Sequence, residues 1–355
     1  MGVGLLQVRY TPILRWKQGE RIALQHLSPA ARVDVTPNIV ITQSQFAPSS
    51  KAKPGSKTLK KSPPPPAEYL AKQIGDAWGK TTFFLDASDL AGTASKHALE
   101  DIAAKANSAG LSLAPSIKLN APPEYIAAVT RVAKHDGRGV ALRISLDQIS
   151  TAATWMGAWP LPFSDTDLII DLASSVATVL ALGTPIHAPF QSLHQASAWR
   201  SITLAGGNIP ANLAGYTVGR TMLPRAELQL WSSLKGANLD YPLHFGDYAT
   251  IGPDATTEGI EGPVPINAKY TIKPDYVVFH GVRIKGPGAK PRDQQYRSYA
   301  AQIIALPNRD SLDHCWGDQM INAIASSPTS QPGSPASWVS YSVNRHIELT
   351  RHQLP

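Results

Sequence analysis

The chain has 355 residues, of which 43% are hydrophobic, and it carries a formal charge of +7. A chain of this length can bury a large core, and its basic character favours weak attraction to polyanions such as nucleic acid or nucleotide phosphates. The single cysteine, Cys315, excludes an internal disulfide, and no apolar run approaches the ~18 residues that a membrane-spanning helix needs. Because residues 1–10 also lack the pattern of a secretion signal, the sequence predicts a cytoplasmic protein with no membrane association.

Eight apolar, β-branched runs recur along the chain, and helical spacing follows most of them. They cover residues 8–14, 35–42, 81–85, 111–119, 140–144, 168–172, 201–204 and 242–245. This alternation predicts parallel strands joined by helices and a sheet that is buried on both faces. Eight such units in succession predict an α/β fold of the (β/α)8 type, a TIM-barrel-like domain whose functional groups lie at the carboxyl ends of the strands.

Helices are predicted between the runs from the spacing of apolar residues and from residues that start or stop helices. Ser95 is the expected N-cap of the helix before the fourth strand, and Gly137 is the expected stop of the helix before the fifth. The helices after the fifth and sixth strands are interrupted by prolines. The clearest predicted helices cover residues 19–27, 67–78, 95–109 and 124–134.

Two stretches depart from the barrel pattern. Residues 43–66 are rich in Ser, Lys and Pro and are predicted to form a flexible insertion after the second strand. Five lysines and no acidic residue lie within 51–61, as expected for a solvated segment or for an electrostatic arm that binds nucleic acid. We therefore divide the chain into a barrel over 1–252 and an irregular α+β extension over 253–355, which is expected to pack over the barrel mouth.

Polar side chains follow the predicted strands and should surround the mouth. A basic side chain there could clamp a phosphate or carboxylate, an Asp could act as a general base or bind a divalent metal ion, and a Tyr could donate to developing negative charge. The alternative is that several of them, such as Arg143 with Asp171, neutralise one another. The catalytic candidates are Lys17, Asp86, Asp171, Asp247 and Tyr248, and the ligand-binding candidates are Glu20, Lys118, Arg143 and Asn208.

Other kinds of site are poorly supported by the sequence. It contains no P-loop, no Gly-x-Ser-x-Gly turn and no His-Glu-x-x-His helix. His346 is expected to anchor the last helix, and Cys315 is expected to be a small buried side chain. No cofactor is specified, and a divalent metal ion would require Asp86, Asp171 and Asp247 to converge.

Several short motifs resemble, in their order, those of the beta family proteins, which are named for the beta gene product of a satellite phage. They include the opening stretch from Tyr10 to Glu20, Leu85-Asp86, the turn from Phe245 to Tyr248, Trp316-Gly317-Asp318 and the stretch from Asn344 to Ile347. This resemblance implies a component of a mobile-element or anti-phage defence locus that restrains a toxic or nuclease-like protein partner. It implies no established catalytic residue.

Three functions follow as hypotheses. The first is a defence component that binds and controls a protein partner and recognises an anionic signal or a peptide at the barrel mouth. The second is a metal-assisted hydrolase or phosphodiesterase that acts on a nucleotide or nucleic acid, with its site at the carboxyl end of the barrel. The third is a basic adaptor that binds nucleic acid through residues 51–61, so that its binding falls steeply with added salt.

Overall fold

A closed barrel of eight parallel strands forms the centre of the computed structural model, which describes residues 9–46, 66–92, 96–183, 186–237, 239–255 and 265–355. The predicted (β/α)8 barrel is confirmed, since every predicted apolar run overlaps one barrel strand. The last barrel strand pairs with both the first and the seventh and so closes the ring. In order around the barrel the strands are β1 (Tyr10–Arg15), β2 (Asn38–Val40), β3 (Phe83–Asp86), β4 (Leu113–Lys118), β5 (Val140–Ile144), β6 (Thr166–Asp171), β7 (Ser201–Gly206) and β9 (Leu243–Asp247).

Alternate residues of each strand point to the barrel interior or to the surrounding helices. The interior holds a small apolar cluster in which Phe84 is accompanied mainly by short side chains, because the narrow barrel has little room. The opposite side of the strands packs against the helices and forms the largest core. The interior cluster comprises Ile13, Phe84, Ala114, Ala141, Ile169 and Ala205.

The helices largely match the predicted ones, with one corrected cap. The N-cap of α5 is His97, whose Nδ1 accepts from the amide of Leu99, while Ser95 lies outside the described residues. Gly137 ends α6 in the left-handed region, as predicted, with a φ of 64°. Before the last barrel strand the helices are α1 (Gln18–Gln25), α2 (Pro29–Asp34), α3 (Gln43–Phe46), α4 (Pro66–Ala77), α5 (Ala98–Ser108), α6 (Pro123–Asp136), α7 (Leu146–Ile149), α8 (Ala152–Met156), α9 (Val176–Ala181), α10 (His187–Ala196) and α11 (Ala226–Gly236).

The predicted insertion over 43–66 is described only at its two ends. Its first residues form α3 and its last residue, Pro66, begins α4. The five lysines of 51–61 lie outside the described residues, so the predicted arm for nucleic acid remains a prediction. In the ranges that the structure describes, no helix is both long and apolar enough to cross a membrane.

A second, antiparallel sheet of three strands stands beside the barrel. Its order is β10 (Asn267–Thr271), β11 (Asp275–His280) and β8 (Gly219–Pro224). Helices α12 (Arg292–Ile304), α13 (Trp316–Ser326) and α14 (Pro335–Gln353) pack with this sheet. Strand β8 precedes the predicted domain boundary at 252–253, whereas its partner strand β11 follows that boundary. The two parts of the chain are therefore interleaved.

Helix α14 occupies the place of the eighth barrel helix. It runs parallel to α1, because Val339 lies against Gly19, Asn344 Nδ2 donates to the carbonyl of Ala23, and Glu348 accepts from Ser28. Its Val343 and Ile347 belong to the core between the strands and the helices. Residues 248–334 are thus an insertion between the eighth strand and the eighth helix, and the chain returns to the barrel after it.

Candidate functional site

Arg143 is fixed at the mouth of the barrel by three partners. Its Nη1 lies 3.4 Å from Asp86 Oδ2, and its Nη2 donates to Asp171 Oδ2 at 2.6 Å and to the Tyr248 hydroxyl at 3.0 Å. The Tyr248 hydroxyl itself donates to Asp171 at 2.6 Å. These side chains come from β3, β5, β6 and the residue after β9, so the barrel brings together four of the predicted candidates.

One donor of this fixed guanidinium has no partner. The Nε atom of Arg143 is buried and makes no hydrogen bond. Burial alone would lower the pKa of Arg143, but Tyr248, Asp171 and Asp86 raise it above its usual value, so the group stays charged. Arg143 is therefore a buried and charged group at the mouth, and an unpaired donor on such a group is destabilising.

A cavity of about 160 Å³ opens beside Arg143. Its wall includes Glu20 of α1, which is only 3% exposed, and its rim includes the exposed Lys118. Arg15 also lines it and donates to the carbonyl of Pro253 at 2.7 Å. The remaining lining is apolar and comes from Ile13, Leu14, Val40, Ile251 and part of Tyr248.

Glu20, in this wall, and Lys269 have perturbed pKa values and act electrostatically on each other. Burial raises the pKa of Glu20 to about 7, although Lys17, Arg15 and Lys269 act against that shift. Burial lowers the pKa of Lys269 to about 8, and the charge of Glu20 partly restores it. The Lys269 ammonium donates to the carbonyl of Thr250 at 2.8 Å. Each of the two groups can therefore gain or lose a proton near neutral pH.

Three other predicted candidates are placed differently from one another. Lys17 is the N-cap residue of α1 and acts electrostatically on Glu20. Lys118 is exposed at the rim of the cavity. Asn208 does not line the cavity. Its side-chain amide donates to the carbonyl of Pro224 at 2.8 Å and so holds the end of β8.

The sequence predicts Asp247 in the mouth, but the structure places it on the outer side of β9. The strand extends to Asp247 itself, so that Gly246 and Tyr248 face inward and Asp247 faces the helices. Its carboxylate accepts from the Tyr10 hydroxyl at 2.6 Å and from His346 Nε2 at 2.7 Å. The contact with His346 holds α14 against the barrel.

A buried polar network surrounds this carboxylate. Burial raises the pKa of Asp247, but His346, Arg225 and Tyr10 outweigh it and hold the pKa below its usual value. Burial lowers the pKa of His346 although Asp247 acts against that shift, and its Nδ1 lies 3.0 Å from the Thr271 hydroxyl. Since each of these side chains is almost completely buried, the network supports the join between barrel and second sheet rather than a ligand site.

Asp86, Asp171 and Asp247 do not converge, so the condition that the sequence set for a divalent metal site is not met by these three residues. Asp86 and Asp171 share Arg143, whose positive charge opposes a cation there, and Asp247 faces away from both. Within the described ranges, no group of three or more His, Cys, Asp or Glu side chains could hold a metal ion. Cys315 is also unsuited to chemistry, because burial raises the pKa of its thiol to about 12.

A larger cavity of about 820 Å³ lies at the opposite, amino-terminal end of the strands. Its Arg200 is bound to Asp167 and to the carbonyl of Arg138. Burial lowers the pKa of His244 to about 4, so this histidine is neutral, and its Nδ1 accepts from the amide of Arg9. Its charged groups are thus largely committed to structure, and we place the candidate site at the mouth.

Arg15 and Lys269 are the two mouth residues that the sequence did not single out. Arg15 could have been found from alternation, because it follows Thr11 and Ile13 on the inner side of β1. Lys269 offers no such signal, since it comes from the insertion after the barrel strands and reaches the mouth only through tertiary structure.

Comparisons with known proteins address the family and the fold. The solved structure of triosephosphate isomerase from Bartonella henselae is similar over 69% of this chain and 95% of its own, with 14% sequence identity and a TM-score of 0.34. No curated protein matches the chain. The model of the family described as Beta protein matches residues 10–351, which is nearly the whole sequence. The chain therefore belongs to the Beta protein family.

Proposed function

We propose that this protein is the ligand-sensing component of an anti-phage or mobile-element defence system in the cytoplasm. Its barrel mouth binds a small anionic group, and occupancy of the mouth controls a toxic or nuclease-like protein partner encoded in the same locus. The observation that carries the ligand-binding part is the buried and charged Arg143, which three partners orient and which lines the cavity.

The charge around the cavity supports an anionic ligand. Asp86 and Asp171 accept from Arg143 and so compensate its charge, and further basic side chains lie around the cavity. Burial favours the neutral form of Glu20, which leaves the mouth more positive below neutral pH. The basic side chains of the mouth are Arg15, Lys17, Lys118, Arg143 and Lys269. A phosphate or carboxylate fits this field.

The defence role and the partner rest on family membership together with the resemblance of the quoted motifs to beta proteins of mobile-element loci. The insertion over 248–334 offers a physical route for control. It brings Lys269 near Glu20 and leads into α14, so a ligand that contacts Lys269 also acts on the part of the molecule outside the barrel. A partner that binds this outer part would then respond to the ligand.

The test combines phage plaquing with ligand binding. Cells that carry the native locus would receive either the wild type or the double variant Arg15→Gln plus Lys118→Ala, which removes two mouth charges without breaking the Arg143 cluster. Lys80→Ala, at an exposed lysine near the other end of the barrel, is the matched control. We expect protection to fall in the double variant alone. Full protection by a soluble double variant would refute a ligand site in the mouth.

A direct measurement uses inorganic phosphate as the probe. A ligand at ten times its Kd stabilises a folded protein by about 1.4 kcal/mol, which a thermal-unfolding series detects. We expect such stabilisation of the wild type and of Lys80→Ala and much less of the double variant. Equal stabilisation of all three proteins would show that phosphate binds elsewhere.

A hydrolase that acts on the bound anion is the second candidate function, and the Glu20 and Lys269 pair favours it. A carboxyl with a pKa of about 7 can act as a general base or acid at neutral pH, and no metal ion is required for that role. Release of phosphate from a nucleotide substrate by the wild type, with loss in Glu20→Gln, would support this candidate. Release that persists in Glu20→Gln would contradict it.

A further inference from the structure

Strand β8 is an open edge of the second sheet. It pairs with β11 along all six of its residues, and among the described residues no strand pairs with its other side. Its residues are mostly exposed, including Arg220, Met222 and Pro224. Free edges of this kind are templates for pairing with another polypeptide, and folded proteins usually protect them with charges, bulges or covering segments.

The register shows which backbone groups are available at this edge. The amide of Arg225 donates to the carbonyl of Pro274 at 3.0 Å, which makes these two residues a hydrogen-bonded pair of the antiparallel ladder. Hydrogen-bonded and non-hydrogen-bonded pairs alternate along an antiparallel ladder, so the backbone groups of Leu223 and Thr221 also bond to β11. The N–H and C=O groups of Arg220 and Met222 therefore point away from the sheet, where an added strand would bind.

Apolar side chains accompany these groups. Val218 is 63% exposed and Met222 is 43% exposed. Val218 also lines a cavity of about 170 Å³ together with Val282. Ile284, two residues after Val282 in the sequence, is 43% exposed. Val218 and Met222 are two of the six large apolar side chains with substantial exposure among the described residues, and exposed apolar clusters mark interaction sites.

The charge beside the edge is positive. The exposed Lys290 lines the same cavity as Val218, and β8 adds the exposed Arg220. A second copy of the chain would bring the same positive charges together across the edge, which disfavours self-pairing. An extended segment that alternates apolar and acidic residues would complement both the apolar pockets and the charge.

We propose that β8 is a docking edge for an extended, acidic and apolar segment of a partner polypeptide, which adds to the sheet as a fourth strand next to Arg220 and Met222. The hydrogen bonds come from the outward backbone groups of these two residues, and selectivity comes from Val218, Met222 and the basic side chains. The surface lies outside the barrel mouth, so the inference does not depend on which ligand the mouth binds.

The test pans a phage-displayed library of linear peptides of about twelve residues, long enough to span the strand, on the full wild-type chain. Met222→Pro removes an outward N–H but no bond to β11, so the sheet should tolerate it. Met222→Thr is the matched control that keeps the N–H. Arg220→Glu is a second variant, at an exposed position, that reverses charge without touching the backbone.

We expect enriched peptides that alternate apolar with acidic residues and bind the wild type and Met222→Thr equally. Binding should fall at least about tenfold in both Met222→Pro and Arg220→Glu. Hydrogen exchange of the wild type should slow at residues 219–224 when a selected peptide is added. Absence of enriched peptides, or binding that both variants preserve, would overturn the proposal. A wild-type dimer that Met222→Pro dissociates would replace the partner with a second copy of the chain.

Discussion

Substituting Asp247 by alanine would test whether this carboxylate is structural, as its outward position on β9 indicates. The change removes one acceptor that serves three donors, the Tyr10 hydroxyl, His346 Nε2 and the amide of Ala249, at distances of 2.6, 2.7 and 2.9 Å. No water can replace the carboxylate easily, because Tyr10, His346 and Asp247 each have 0% of their surface exposed. The variant therefore leaves buried donors without a partner.

The expected loss of stability is large. A hydrogen bond to a charged acceptor contributes about 1.5–3 kcal/mol, and removing one member of a buried charged pair costs about 3–5 kcal/mol. The three bonds share one carboxylate, so their contributions do not add. We expect about 3–5 kcal/mol for Asp247→Ala. We expect only about 1–2 kcal/mol for Asp247→Asn, because the amide can accept from Tyr10 and donate to the other tautomer of His346.

Urea unfolding of the wild type and the variants measures these differences, provided that the slope with urea stays constant. Asp254→Ala, at an exposed aspartate, is the control and should change stability by less than about 0.5 kcal/mol. A loss below about 1 kcal/mol in Asp247→Ala would refute the reasoning about the buried network. Stabilisation by inorganic phosphate should persist in Asp247→Asn, and its disappearance from a stable variant would instead return Asp247 to the mouth.

Three further predictions concern Glu20, Tyr248 and Gly19. Folding raises the pKa of Glu20 from 4.5 to about 7, so between these pH values the folded protein binds a proton that the unfolded chain has lost. The free energy of unfolding should therefore fall by up to about 3 kcal/mol as the pH rises through this range. Glu20→Gln should flatten that part of a pH series of urea unfolding, and an unchanged slope would contradict the assignment. Tyr248→Phe removes the hydroxyl between Asp171 and Arg143 and should lower stability by about 1–2 kcal/mol in thermal unfolding, while no change would mean that the hydroxyl contributes nothing. Gly19→Ala places a Cβ 2.5 Å from Val339 Cγ1 and 2.8 Å from Val339 Cβ and should destabilise by about 1–3 kcal/mol, with partial recovery when Val339→Ala removes Cγ1. A failure of that recovery in a double-mutant cycle would show that the two helices do not touch there.

The barrel could be predicted from the sequence because each strand, buried on both faces, is a short continuous apolar run between helical stretches. The cluster around Arg143 could also be predicted, since it uses residues near the ends of those strands. The direction of the Asp247 side chain could not be predicted, because a shift of one residue in the position of the strand end decides whether it faces the interior or the helices. Strand β8 was missed because its apolar residues are exposed and carry no periodic signal.

Two further features depend on contacts between distant parts of the chain. Lys269 reaches the mouth from the second sheet, and α14 completes the helical ring after an insertion of residues 248–334. Spacing within a sequence does not encode such contacts. The predicted extension over 253–355 thus ends in a helix that takes a standard barrel position.

The position of α14 has a consequence for synthesis on the ribosome. The seam between β9 and β1 is covered only when residues 335–353 have emerged, long after the eighth strand is complete. Until then Tyr10 and Phe245 leave an apolar surface open, so the nascent barrel should be a chaperone client. We expect chains stalled before residue 335 to be cleaved readily by protease, and full-length chains to become resistant in one late step.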